Sequence, residues 1–123
     1  MGHVLIVDDS MLYRKVLQRF AHKMELSAVM ASSGQEALQI LADNKGFSVL
    51  LIDIELVDVN GLDLLGQIRQ ELNLHVPALA VTAHNAPEYL KKLTAEGFTD
   101  YLVKPVKEEQ FKEKIHAVLQ PDE

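Results

Sequence analysis

Five short apolar runs recur along the chain, and longer stretches of helical period separate them. Each run is too short to form a core helix. The runs are continuous rather than alternating with polar residues, which is typical of parallel strands that are covered on both faces. They are VLIV at 4–7, AVMA at 28–31, VLLI at 49–52, ALAV at 78–81 and YLV at 101–103.

The stretches between the runs predict five helices, and most of them have residues suited to a helix start. These starts are expected near Ser10, after Ser32 and Ser33, at Asn60 and Gly61, at Pro87, and near Lys107. Strict alternation of strand and helix predicts an α/β fold: a doubly wound, five-stranded parallel sheet of order 2-1-3-4-5, in a flavodoxin-like arrangement. In such a sheet the ligand crevice lies outside the carboxyl ends of the central strands.

Composition limits the classes of function. A chain of 123 residues fits one domain, so we predict a single domain over residues 1–123, with a short QPDE tail that ends the protein or leads into a neighbour. Because cysteine is absent, any metal must be held by oxygen or imidazole, which favours a hard cation such as Mg²⁺. The net charge of −6 disfavours direct nucleic-acid binding.

The sequence also bears on location. No apolar run approaches the length that crosses a bilayer, so no membrane partner is expected. The opening segment MGHVLIVDDS has neither the cationic start nor the long apolar stretch of a secretion signal. We therefore expect the protein in the cytoplasm.

Residues able to carry chemistry stand where the predicted strands end. Asp8 and Asp9 follow the first strand, Asp53 ends the third, Thr82 ends the fourth, and Lys104 follows the fifth. Taken singly, each could merely cap a helix or sit in a turn. Together, three carboxylates in one crevice repel each other unless a cation binds or one of them is protonated. Mg²⁺ suits such oxygen ligands and is commonly completed by phosphate oxygens.

Four segments resemble the defining segments of response-regulator receiver domains, in order and spacing. They are VLIVDDS, LLIDIELVDVNGLDLL, ALAVTAH and DYLVKP, and the resemblance covers about residues 3–119. It implies that Asp53 accepts a phosphoryl group in a Mg²⁺ site. There Asp9 would be a direct ligand, Asp8 would assist, and the backbone carbonyl of Glu55 would be a further ligand.

The resemblance implies further roles. Thr82 would hydrogen-bond the phosphoryl group, Lys104 would pair with it, and Tyr101 would occupy an aromatic switch position, while Ala83 leaves room for the group. Glu55 and His84 flank the site and are expected to tune the lifetime of the modification. The Lys104–Pro105 peptide bond is expected to be cis.

One loop departs from the family pattern. Where the family usually has a Met-Pro pair after the acceptor, this chain has Leu56 and Val57. The loop thereby loses a φ-restricted residue, which puts its rigidity in question.

The resemblance further implies a regulatory domain, not an enzyme, which assists its own phosphorylation and dephosphorylation. The phosphoryl group would come from a sensor histidine kinase or a histidine phosphotransfer protein, and the modified state would act on a downstream protein target. A Mg²⁺-dependent phosphatase would need Asp-x-Asp after the first strand, and Asp8-Asp9-Ser10 does not fit. A flavin protein would need hydrogen-bond donors to the flavin phosphate in the first strand–helix turn, where this chain has two acids. A receiver serving only as a scaffold is a further alternative.

Two interpretations are open for the surface of the first helix. Its basic residues are expected to form a solvated face rather than a nucleic-acid patch: Arg14, Lys15, Arg19 and Lys23. The alternative is a docking patch formed by Met11 and Leu12 together with Pro105 and Val106.

Overall fold

The computed structural model describes residues 2–119, and this range alternates strands with helices as the sequence predicts. The strands are β1 (His3–Val7), β2 (Ser27–Ala31), β3 (Val49–Asp53), β4 (Ala78–Thr82) and β5 (Asp100–Val103). The helices are α1 (Met11–Lys23), α2 (Gly34–Asp43), α3 (Gly61–Glu71), α4 (Pro87–Ala95) and α5 (Glu108–Leu119). The QPDE tail lies outside the described residues, as does Met1.

All neighbouring strands pair in parallel, in the order β2-β1-β3-β4-β5. This confirms the predicted doubly wound sheet. Strands β3 and β4 are buried at every position, as expected for strands that helices cover on both faces. The pairing aligns the carboxyl ends of β1, β3, β4 and β5 along one edge of the sheet, where the residues at the strand ends can meet.

Two hydrophobic layers hold the sheet, one on each face. Successive strand residues point to opposite faces, so Leu5 and Val7 enter one layer while Val4 and Ile6 enter the other. The first layer packs against α2, α3 and α4, and it includes Leu41, Leu64, Ile68 and Leu93. The second packs against α1 and α5, and it includes Leu17, Ala21, Phe111 and Ile115.

Capping residues fix where the helices begin, close to the predicted starts. Ser10 accepts a hydrogen bond from the backbone N–H of Tyr13, which satisfies a free donor of the first turn of α1. Ser33 caps α2 and Asn60 caps α3 in the same way. Pro87 occupies the first turn of α4, where its missing N–H is harmless. Among residues 2–119, no helix combines the length and apolarity that crossing a membrane requires.

Gly61 allows α3 to begin directly against the end of β3. Its N–H donates to the carbonyl of Ile54 at 2.8 Å. A Cβ at this position would lie 2.7 Å from Cα of Ile54 and 2.8 Å from the carbonyl oxygen of Asp53, both of them backbone atoms. The backbone would have to move to admit any side chain, so Gly61 fixes how closely α3 approaches the backbone of Asp53 and Ile54.

We expect Gly61→Ala to lower the free energy of unfolding by about 1–3 kcal/mol, because the added methyl overpacks against backbone. Gly66→Ala is the matched control. In the described chain, no heavy atom apart from adjacent backbone lies within 4 Å of a Cβ there, and the residue is inside α3. Alanine at that position should stabilise the protein by about 0.5–1 kcal/mol. Urea unfolding of both variants measures these changes, and destabilisation of equal size in the two would contradict the steric account.

Candidate functional site

Three carboxylates meet at the carboxyl edge of the sheet. Asp8 and Asp9 follow β1 and Asp53 ends β3, and because these strands are paired neighbours, the three side chains converge. Each offers an oxygen that lies within 4.8 Å of the other two. Asp8 and Asp53 are only 1% and 3% exposed, whereas Asp9 is half-buried. We call these three residues the acidic cluster.

Lys104 supplies a positive charge to the acidic cluster. Its Nζ lies 3.4 Å from Oδ2 of Asp8 and 3.4 Å from Oδ2 of Asp53, and it sits 4.3 Å from the centre of the Tyr13 ring, in cation–π range. Burial opposes the charged form of Lys104, but the two carboxylates outweigh burial and raise its pKa. One ammonium therefore faces three carboxylates. The peptide bond between Lys104 and Pro105 is cis, as predicted.

Several carboxylate oxygens of the cluster are held by backbone N–H groups. Oδ1 of Asp8 accepts from Ser10, and Oδ1 of Asp53 accepts from Glu55 at 3.0 Å. The other oxygen of Asp8, Oδ2, is buried, and within the described chain its nearest charged partner is the Lys104 ammonium at 3.4 Å, which is too poorly aligned to count as a hydrogen bond. A buried charged oxygen without a hydrogen bond is costly, so this atom is suited to a cation.

The electrostatics of the cluster act most strongly on Asp53. Burial, followed by the charge of Asp8, raises the pKa of Asp53 to about 6, although the Glu55 N–H and Lys104 both favour the ionised form. The carboxyl is thus mostly ionised at neutral pH, which a nucleophile requires, and it takes up a proton in mild acid.

Arg14 corrects the prediction for the first helix. The sequence placed its side chain in water, but Arg14 is partly buried, and Nη1 donates to the carbonyl of Asp8 at 2.8 Å. The guanidinium has several donors on a long stem, so it reaches back from α1 to the end of β1. Arg14 therefore helps to hold the backbone that carries the acidic cluster.

Three hydrogen bonds hold the loop between β3 and α3, where the family usually has a proline. The N–H of Val57 donates to Oδ2 of Asp9 at 2.9 Å, a bond that a proline at this position would lack. Asp58 accepts from the N–H groups of Gly34 and Gln35 at the start of α2, each at 3.0 Å. These backbone bonds, led by the one from Gly34, lower the pKa of Asp58. Side-chain contacts thus restrain the loop in place of a fixed φ.

The side chain of Glu55 points to Thr82. Oγ1 of the buried Thr82 donates to Oε2 of Glu55 at 2.9 Å and accepts from the N–H of His84 at 3.1 Å. The His84 ring lies 5.0 Å from the ring of Tyr89 in α4. Burial, followed by the charge of Glu55, raises the pKa of Tyr89. Tyr89 was not predicted from the sequence, because nothing in the order of residues shows that the first turn of α4 faces the strand end.

Two other predictions have different outcomes. Tyr101 is half-buried, with the Lys114 ammonium 4.7 Å from its ring centre, and its role as a switch stays a prediction. The docking patch predicted from Met11, Leu12, Pro105 and Val106 is partly wrong. Met11 and Leu12 are 60% and 70% exposed, but Val106 is buried in the second hydrophobic layer, so it is not available for docking.

Residues 4–116 match the family described as the response regulator receiver domain. The two-component response regulator ARR10 of Arabidopsis thaliana is 33% identical over 110 residues, which are 89% of this chain and 20% of that protein. ORR3 of Oryza sativa subsp. indica, another two-component response regulator, is 29% identical over 85% of this chain and 81% of its own length.

Solved structures show the same likeness. The chemotaxis response regulator CheY4 of Vibrio cholerae has a TM-score of 0.88 and 28% identity, over 97% of this chain and 99% of that one. A response regulator from Clostridium difficile has a TM-score of 0.89 and 26% identity, over 98% and 97% of the two chains. The likeness extends over nearly the whole of each structure.

We expect Asp53→Asn to stabilise the protein without Mg²⁺ at neutral pH. The raised folded-state pKa means that the contribution of Asp53 to stability is fully present below pH 3.8 and is lost as pH rises through about 6. The variant should thus exceed the parent by about 2 kcal/mol at pH 7.5 in EDTA, and the gap should close below pH 4.

Urea unfolding across this pH range measures the gap. Asp43→Asn, which removes an exposed carboxylate in the last turn of α2, controls for the loss of one charge. A gap that stays constant from pH 4 to pH 8 would contradict repulsion within the acidic cluster.

Proposed function

The chain belongs to the response regulator receiver domain family, a regulatory family of two-component systems, and we propose that Asp53 is its phosphoryl acceptor. One observation carries the assignment. Asp53 is a buried carboxylate held 3.4 Å from the Lys104 ammonium and close to two further carboxylates. This arrangement supports the proposal, because phosphoryl transfer needs an aligned nucleophile and nearby charges that neutralise the transferred group.

The proposed reaction is a displacement at phosphorus. A carboxylate oxygen of Asp53 attacks the phosphoryl group of a phosphohistidine, a P–O bond forms, and the P–N bond breaks as the imidazole leaves. Lys104 pairs with an oxygen of the transferred group. The product is an acyl phosphate, which water hydrolyses spontaneously, so the modification acts as a timed signal. We propose that the domain is regulatory and assists its own phosphorylation and dephosphorylation.

The residues present suit Mg²⁺. The donor set is made of hard oxygens, and the buried Oδ2 of Asp8 lacks a hydrogen bond in the described chain. Asp8, Asp9 and Asp53 would hold the ion together with the backbone carbonyl of Glu55. When bound, Mg²⁺ neutralises charge on the phosphoryl oxygens.

We propose protein partners on both sides of the reaction. A sensor histidine kinase or a histidine phosphotransfer protein supplies the phosphoryl group, and a downstream protein target reads the modified state. The net charge of −6 argues against direct nucleic-acid binding. The chain spans 20% of ARR10, so the output of that longer protein is not carried over. A single domain over residues 1–123 and a cytoplasmic location stay predictions.

Acetyl phosphate with Mg²⁺ should add one phosphoryl group to the protein, and Asp53→Asn should reduce the labelling at least tenfold, because the amide is not a nucleophile for this reaction. Intact-mass spectrometry measures the added group. Asp63→Asn, at an exposed position in the first turn of α3, is the matched control and should be labelled like the parent. Labelling that persists in Asp53→Asn would move the acceptor elsewhere and refute the assignment.

A further inference from the structure

The hydroxyl of Thr82 is already committed in this structure. Thr82 is fully buried, and its Oγ1 donates to Oε2 of Glu55 at 2.9 Å while accepting from the N–H of His84 at 3.1 Å. A hydroxyl has one hydrogen to donate. Thr82 therefore cannot hydrogen-bond both the Glu55 carboxylate and a phosphoryl group on Asp53 through that hydrogen.

Glu55 contacts both Asp53 and Thr82. Its backbone N–H bonds Oδ1 of Asp53 at 3.0 Å, and its side chain bonds Thr82. The same Oε2 lies 3.8 Å from Nε2 of His84, whose ring lies against Tyr89 in the first turn of α4. The bond between Thr82 and Glu55 therefore joins the acceptor strand β3 to β4 and, through His84, to α4.

We propose that Glu55 is a positioning residue that holds the Thr82 hydroxyl in the unmodified state and must release it when Asp53 carries a phosphoryl group. We call this bond the Thr82–Glu55 latch. The inference deepens the proposed function and rests on it, because it concerns the response to a phosphoryl group on Asp53.

The latch makes the unmodified state more stable relative to the switched one. A hydrogen bond to a carboxylate is stronger than one between neutral groups. The Glu55 side chain is 41% exposed, but Thr82 is fully buried, so releasing the Thr82 hydroxyl still costs free energy. The phosphoryl group offsets that cost, since it offers a more highly charged acceptor. Removing the acceptor at residue 55 should thus shift the population towards the switched state and increase the affinity for a phosphoryl mimic.

Charge alone would act in the same direction, because Glu55→Ala also removes a negative charge near an anion site. A double-mutant cycle separates the two effects. The variants are Glu55→Ala, Thr82→Val and the double mutant, and the ligand is beryllofluoride with Mg²⁺, titrated by NMR. Glu88→Ala removes a charge from an exposed position in the first turn of α4 and leaves the latch in place.

With Thr82 present, Glu55→Ala should tighten mimic binding about fivefold or more. In the Thr82→Val background only the effect of charge should remain, so the same substitution should tighten binding clearly less than it does with Thr82 present. Glu55→Gln keeps a neutral acceptor and should fall between the parent and Glu55→Ala. Equal tightening by Glu55→Ala with and without the Thr82 hydroxyl would mean simple charge repulsion and overturn the latch.

A second measurement does not depend on Thr82→Val folding well. In the free protein, Glu55→Ala should move the His84 amide resonance towards its position in the mimic-bound parent, and an unmoved resonance would overturn the latch. Labelling of the parent with acetyl phosphate distinguishes a failure of the latch from a failure of the proposed function. If Asp53 is labelled but the cycle is additive, the latch alone is wrong; if Asp53 is not labelled and the mimic does not bind, both proposals fail.

Discussion

Repulsion among the carboxylates of Asp8, Asp9 and Asp53 is the constraint on which the rest of the site depends. Their oxygens lie within 4.8 Å of one another, and the Lys104 ammonium lies 3.4 Å from two of the three residues. One positive charge does not balance three negative ones, and burial strengthens the repulsion. The folded protein is therefore poised to gain stability from a cation. Burial, and after it the charge of Asp8, keeps the pKa of Asp53 near 6.

The fold can hold this unfavourable arrangement because each charged residue is attached to an element that packing has already fixed. Asp53 ends a strand that is buried along its whole length, and Gly61 brings α3 against the backbone beside it. Lys104 follows the edge strand β5, and its N–H donates to the carbonyl of Thr82 at 2.7 Å. The two hydrophobic layers thus position the charges, and the charges in turn form the proposed phosphoryl-acceptor site.

Much of this could be predicted from the sequence, because parallel topology makes strand ends meet. The apolar runs and the helix starts at Ser10, Asn60 and Pro87 gave the correct order of elements, and the strand ends then gave Asp53 and Lys104. Contacts that depend on side-chain reach were not predictable. They include Arg14 on the Asp8 carbonyl, Asp58 at the start of α2, Glu55 on Thr82, and the burial of Val106.

Mg²⁺ affinity measured against pH tests the central claim most directly, since a carboxylate must be ionised to bind the ion. The account predicts that the affinity, measured by calorimetry, falls roughly tenfold from pH 7.5 to pH 5, as Asp53 takes up a proton near pH 6. In Asp53→Asn the fall should be much smaller. An affinity in the parent that is the same at both pH values would contradict the view that carboxylate repulsion governs this site.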